Sequence, residues 1–490
     1  MRASHYNRNK INIKIFDSIN TLVNENILPL KYSPLCYNFT FNGGALDSKM
    51  GIEVAKTTVI VTPEGRHLLP DLPEGKSFKS IHLYRKYDFT NKKRGDKIVV
   101  RANDDTYYET ALFEVDTFHR ITNLSAVGKD CSVSYRYNGE DVFILSSENG
   151  FFYVYNGASL TTVTDAPKIT SMCVHAERVF ATTGGEKNSV WFSDDFNPTN
   201  WKVTGTTAGF INFDDDGGAV VKVMTFLDYV YVFREYGIMR LSVYGAQQDF
   251  SVSKLYVSAG RIYPDTITFC GDRIMFLAED GIYVFDGYSV RPLAPSLKQF
   301  LPLKKSTAVA CYMDGKYYLA MRLDYGTNNM PFILVENGYY INNSMVIYEL
   351  AENRFSIMRG VDINSLTSIK VHHEASVLAT FNYDNSKKIG RIVKNGKVFA
   401  DVLPKYWTTA ETDLGYPSRE KSIREVSFLT SGDCTLGVEL DGVTSEYAVV
   451  GSARPQKIIV NQKGCVVRLY IKSGAVAINI TAPTVVVDIV

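Results

Sequence analysis

Apolar and β-branched residues alternate in short runs along most of this chain, and tight turns separate the runs. EDGIYVFDGYSVRPLAP (279–295) is the clearest instance: an apolar strand, an Asp-Gly turn, a second short strand and a proline stop. ENGFFYVYNGASLTTVTDAP (148–167) and REYGIMRLSVYGAQQDFSV (234–252) repeat the plan more loosely. Alternation of this kind around Asn-Gly and Asp-Gly turns predicts β-hairpins. Hairpins recurring at intervals of tens of residues predict a radial or stacked all-β array, and the most economical such array is a β-propeller.

From residue 76 the units follow one another. They begin SIHLYRKYDF, SVSYRY, ITSMCV, VVKVMTF, TITFC, STAVACYM and SLTSIKVH, and each continues into one or two further apolar runs. Seven units of about 46 residues suit four-stranded blades. The expectation is therefore an all-β chain whose propeller, at 76–400, has six to eight blades, with seven the best count. Ring closure can borrow a strand from the far end of the chain. Segment 324–344 is longer than a blade loop needs and predicts an insertion on one face.

The two ends differ from this middle. Residues 1–45 are polar and Asn-rich and read as an extended arm with one short helix near 16–26. Residues 46–75 hold one clear strand, KTTVIVT (56–62), read as a platform strand segment. An arm this polar cannot fold by itself, so it should order only against the platform or a neighbouring subunit. After 400 eight short strands with turns every 8–12 residues predict a C-terminal β-sandwich at 401–490, joined with 1–75 as a platform domain. Helix signals are nearly absent; LAPSLKQFL (293–301) is the best short helix, a connector after a blade hairpin.

Composition narrows the function classes. Hydrophobic residues at 45% and charged residues at 21% describe a folded protein, and the aromatic share of 12% favours strands. A formal net charge of +1 gives no global attraction to nucleic acid or acidic membranes. The one basic run, Asn91-Lys92-Lys93-Arg94, reads as a solvated hairpin tip. The seven cysteines lie far apart without a CxxC pair, as expected for buried thiols in a reducing compartment. The polar N-terminus has no apolar signal region and no run is long enough to span a membrane as a helix.

Candidate chemistry is sparse. SDDFNPTNW (193–201) resembles the Asp-box turn of sialidase-type propellers, with Asn197 where a Gly is usual, and it occurs once. Its expected role is structural, with Asp195 and Trp201 stabilising a hairpin. Asp214-Asp215-Asp216 before Gly217-Gly218 lacks EF-hand spacing and reads as a solvated inter-blade loop. His372 and His373 are adjacent on a strand and point to opposite faces, so they cannot share a metal. His82, His119 and His175 are isolated. Glycoside hydrolysis needs two convergent carboxylates; Glu148, Asp194, Asp195, Glu235 and Glu279 lie near strand ends, and a propeller could bring such groups together. No P-loop, GxSxG or strand-to-helix GxGxxG occurs. We assign no residue to catalysis, to a cofactor or to a metal.

VWFSDDFNPTNW (190–201), AEDGIYVFDGYSVRPLAPSL (278–297), YWTTAETDLGYPSREKSIREV (406–426) and FNGGALDS (41–48) resemble stretches of bacteriophage tail β-propeller proteins. These are the tail nozzle, tail tubular or head-completion "stabilisation" proteins of short-tailed phages. The resemblance implies a non-enzymatic virion protein made in the host cytoplasm. It also implies a six-fold homo-oligomeric ring below portal and adaptor, contacts with other tail proteins, and transient passage of viral DNA. Two other classes remain open from the residues alone: a propeller glycosidase or polysaccharide lyase, and a carbohydrate- or receptor-binding propeller.

Overall fold

Runs such as Val142-Phe143-Ile144-Leu145 have no polar face, so a strand built from them must be covered on both sides. In the structure, a computed structural model, that is the position of each such strand. Phe143 and Leu145 pack with Tyr84, Val99 and Tyr107 of the preceding blade. Val142 and Ile144 pack with Val179, Ala181 and Trp201 of the following one. The described residues are 7–13, 16–22, 28–54, 59–62, 65–68, 70, 72–111, 117–293, 295–302, 305–325, 340–371, 374–383 and 386–489.

Seven antiparallel sheets form the propeller. Their first strands are Phe78–Tyr84, Asp130–Tyr137, Ile169–His175, Val220–Phe226, Thr268–Cys270, Val309–Met313 and Ile363–Val371, and we number the blades 1 to 7 in that order. First strands touch between blades 1 and 2, 2 and 3, 3 and 4, 5 and 6, 6 and 7, and 7 and 1, while blades 4 and 5 meet through Phe226, Tyr231 and Phe276. A core of Ile369 and Ile389 against Ile81, Ile98 and Val100 seals this last junction. In blade 7 the fourth strand comes from the other end of the sequence, because Gly51–Val54 pairs antiparallel with Ser386–Val393. Ile52 of that strand is fully buried with Met345, Met358 and Val398. A Cβ at Gly51 would sit 1.8 Å from Asn395 Oδ1, so only glycine fits.

The turns between first and second strands explain the hairpin spacing. Asn138-Gly139 and Asp314-Gly315 both have positive φ at each residue, the geometry of a two-residue type I′ turn. Ala176-Glu177 and Leu227-Asp228 adopt the same geometry without glycine, at φ 44° and 58° and at 44° and 64°. Left-handed backbone there costs roughly 1 kcal/mol or more per residue.

The sandwich is built from both chain ends. One sheet runs Asn7–Asn12, Thr484–Ile489, Lys421–Phe428, Gln456–Gly464. The other runs Leu35–Tyr37, Lys405–Thr408, Val467–Ser473, Cys434–Leu440, Val443–Val449. Phe16 packs edge-on against Trp407 at 4.7 Å. Asn38, buried at φ 60°, ties this domain to blade 6. Its side chain accepts from Arg359 N at 2.8 Å and donates to Pro404 O at 2.7 Å.

Several expectations change. Residues 16–22 are not helical; Ile19 forms a single parallel bridge with Ser33. The 46–75 segment supplies more than one strand: Gly51–Val54 joins blade 7, and Val59–Thr62 pairs with Gly65–Leu68 in a separate hairpin. Pro295–Phe300 is a 3-10 turn rather than an α-helix, because six residues that start on proline leave few i→i+4 bonds to form. Most of the insertion, 326–339, and the pair at 372–373 lie outside the described residues.

Candidate functional site

The first strands bring charged side chains to the propeller axis. Lys129, just before blade 2, forms an ion pair with Asp265, just before blade 5. Blades 3 and 4 lie between them in the ring, so the contact spans one mouth of the axial channel. Lys222 of blade 4 is half-buried and donates to Pro264 O at 3.1 Å and Ile267 O at 2.6 Å. Burial pulls its ammonium down to about 8, against the opposing pull of Asp265. A duplex is wider than its own major groove of about 12 Å, and Lys129 and Asp265 close to ion-pair distance across this mouth, so a duplex does not fit past the closed pair.

A second polar cluster joins blades 1 and 2. Asp130 Oδ2 accepts from Tyr107 Oη at 2.5 Å and from Ser80 Oγ at 2.9 Å, and lies 2.9 Å from His82 Nε2. His82 Nδ1 lies 2.9 Å from Ser132 Oγ. Arg101, buried, donates to Gly128 O and Ala126 O and stands 3.6 Å from Asp130. Burial works to raise the Asp130 carboxyl, yet His82, Tyr107 and Arg101 together hold it well below the usual carboxylate range. The serine, histidine and aspartate therefore meet, but Ser80 donates to Asp130 and the two His82 nitrogens are taken by Asp130 and Ser132 inside a blade junction. They act as an interblade staple.

The Asp-box-like turn is structural, with a correction. Asp194, not Asp195, organises it. Asp194 accepts from Thr207 N at 2.9 Å, Thr207 Oγ1 at 2.6 Å, Asn200 Nδ2 at 3.0 Å and Asp195 N at 3.1 Å. The Asp195 side chain is exposed. Trp201 is buried, donates to Pro198 O at 3.0 Å and packs edge-on against Phe152 at 5.5 Å.

The Asp214–Asp216 loop is less solvated than its sequence suggests. Asp215 is ion-paired with buried Arg234, which also donates to Gly218 O at 2.8 Å. His175 is half-buried and burial pulls its imidazole down. Of the seven cysteines, all unpaired, Cys465 alone is exposed, at the turn where Asp441 accepts its backbone N–H.

The five carboxylates near strand ends do not form one cluster, although Glu235 and Glu279 both reach Arg261 on one face. Glu148, Glu235 and Glu279 follow second strands, and Asp194 and Asp195 follow a third strand; up-and-down connectivity puts these turns on opposite faces. Glu235 is also held by Arg261 at 2.7 Å, whose backbone N–H reaches Glu279 at 3.4 Å. Among the described residues no helix is long and apolar enough to cross a membrane.

Residues 107–295, from the third strand of blade 1 to the end of blade 5, match the family model described as Phage_stabilise: Bacteriophage P22 Gp10, beta-propeller. Over those residues the chain is similar to that family, which supports a phage tail β-propeller relationship. No curated protein sequence matches the chain. Solved structures similar to it include BBS1N in complex with ARL6DN, soaked with mercury, at 10% identity and a TM-score of 0.41, covering 70% of this chain and 97% of that one. The Neurospora crassa Pan2 WD40 domain matches at 8% identity and 0.38, covering 71% and 95%. Chaetomium thermophilum Raptor matches at 10% identity and 0.35, covering 51% and 23%. At these scores they carry no argument beyond the order of the sheets.

Proposed function

We propose that the chain is a non-enzymatic structural subunit of a phage tail. In this reading it forms a homo-oligomeric ring that serves as nozzle or tail-tube segment below the portal and adaptor. The family match over 107–295 carries the proposal. The fold supports it in two ways. Both chain ends are gathered into one sandwich beside the propeller, giving a rigid two-body subunit suited to ring packing. The propeller axis is crossed by Lys129 and Asp265, so DNA passes along the ring axis, outside each propeller.

A net charge of +1 suits a conduit that lets DNA slide, since each phosphate neutralised by lysine or arginine would strengthen binding. The glycosidase reading has less support, because Asp194 and Asp195 sit on the face opposite Glu148, Glu235 and Glu279, Glu235 is ion-paired with Arg261, and Asp194 is consumed by its own turn.

The test is assembly of the phage without this chain. The proposal expects DNA-filled heads that lack the distal tail segment and are not infectious. Infectious particles of normal shape that contain none of the chain would overturn it.

A further inference from the structure

The basic run at 91–94 forms part of a built pocket. In blade 1 the connection after the first strand is itself a small hairpin, in which Tyr87–Asp88 pairs with Lys93–Arg94. It folds against the first strand of blade 2 and encloses a pocket of about 380 Å³, lined by Arg85, Lys86, Arg94 and Arg136 and by Asp96 and Asp141.

Both carboxylates are occupied in holding the hairpin. Asp96 accepts from Lys86 N at 2.9 Å, and Asp141 accepts from Tyr87 N at 2.8 Å. The guanidiniums are freer. Arg94 is exposed and has no ion pair among the described residues. Arg136 Cζ lies over Phe89, 4.0 Å from the ring centroid, and among the described residues its guanidinium donates only to the Gly139 carbonyl, at 3.4 Å. Arg85 reaches Asp96 only at 3.5 Å. The planar Arg136 fork of donors matches a carboxylate with two parallel hydrogen bonds.

We propose that this pocket is a carboxylate-binding site that docks an acidic segment of another protein. The rest of the same face decides against nucleic acid. Its turns in blades 4, 5 and 6 carry exposed Asp228, Asp272, Asp286 and Asp314. A phosphate backbone crossing the face would meet these carboxylates, whereas a short acidic segment would meet only the basic side. The site stands whether or not the subunit forms a ring, so its test is separate from that of the tail function.

The experiment is fluorescence anisotropy of the full-length protein with a labelled poly-glutamate peptide, with a labelled DNA duplex as the comparison. The proposal expects saturable peptide binding that weakens with salt, a roughly tenfold loss in the Arg94→Glu, Arg136→Glu double variant, and weaker binding of the duplex. Arg94→Gln alone, at an exposed hairpin position, keeps the fold and should lose several-fold affinity. Absence of peptide binding, unchanged affinity in Arg94→Gln, or tighter binding of the duplex overturns the proposal.

Discussion

Lys129 and Asp265, separated by 136 positions in sequence, meet across the axis of a seven-bladed ring. The pair is exposed enough that it adds little stability, about 1 kcal/mol at most. Its meaning is geometric. A zero-length carbodiimide reagent should join the Lys129 ammonium to the Asp265 carboxylate as an amide in the native protein, and mass spectrometry of the digest would find the linked peptides. Their absence from native protein and presence only after unfolding would contradict the closed axis.

The Asp130 junction should be the acid-sensitive one. Its folded carboxyl lies below the ordinary value near 4, so its contribution is present above that pH and is lost as pH falls through the folded value. Asp130→Ala should cost roughly 3 kcal/mol at neutral pH, since it strands His82 and Arg101 in a buried site. Urea denaturation at several pH values checks this: the gap between wild type and variant should begin to narrow below about pH 4 and go on narrowing as pH falls towards the folded value.

Asp194 and Asp195 should differ sharply despite being neighbours. Asp194→Ala removes four accepted hydrogen bonds and should cost about 1–3 kcal/mol. Asp195→Ala should fall within about 0.5 kcal/mol of wild type. Thermal melts of the two variants side by side give the comparison.

The turn at Ala176-Glu177 offers a stabilising change. Replacing it with Asn-Gly keeps the type I′ geometry and relieves two left-handed residues. The melting temperature should rise, by the equivalent of about 1 kcal/mol. The carbonyl of Glu177, which accepts from Tyr135 Oη at 2.8 Å, is retained in the variant.

Removing residues 1–45 should unmake the sandwich rather than merely shorten an arm. Phe16, Tyr37, Phe39 and Phe41 are all buried in the core shared with Trp407 and Ile480. The truncated chain should lose cooperative unfolding of the sandwich and aggregate through the exposed faces of its sheets, seen by light scattering. A soluble, fully folded truncation would contradict this packing.

Much of this fold was legible because blade strands are buried on both faces. The runs around Phe143, Val232 and Phe276 announce themselves as apolar, and Asn-Gly and Asp-Gly mark their turns. Short, half-exposed fourth strands such as Leu160–Val163 and Val290–Pro292 are legible through the Asn-Gly and Asp-Gly turns that precede them. Asn7–Asn12 reads as a polar arm because its place is an outer strand paired through backbone to Thr484–Ile489. The turns at Ala176-Glu177 and Leu227-Asp228 carry no glycine to reveal them. Which of Asp194 and Asp195 faces the turn depends on local backbone direction, and the meeting of Lys129 with Asp265 depends on closing the whole ring. Neither is written in local pattern.

The central claim is a ring subunit of a phage tail. Electron microscopy of the purified full-length protein, at concentrations rising toward those in an infected cell, tests it most directly. The account predicts closed rings with a central opening surrounded by propellers, each propeller showing no through-channel of its own. A protein that remains monomeric throughout and depolymerises host glycan would contradict it.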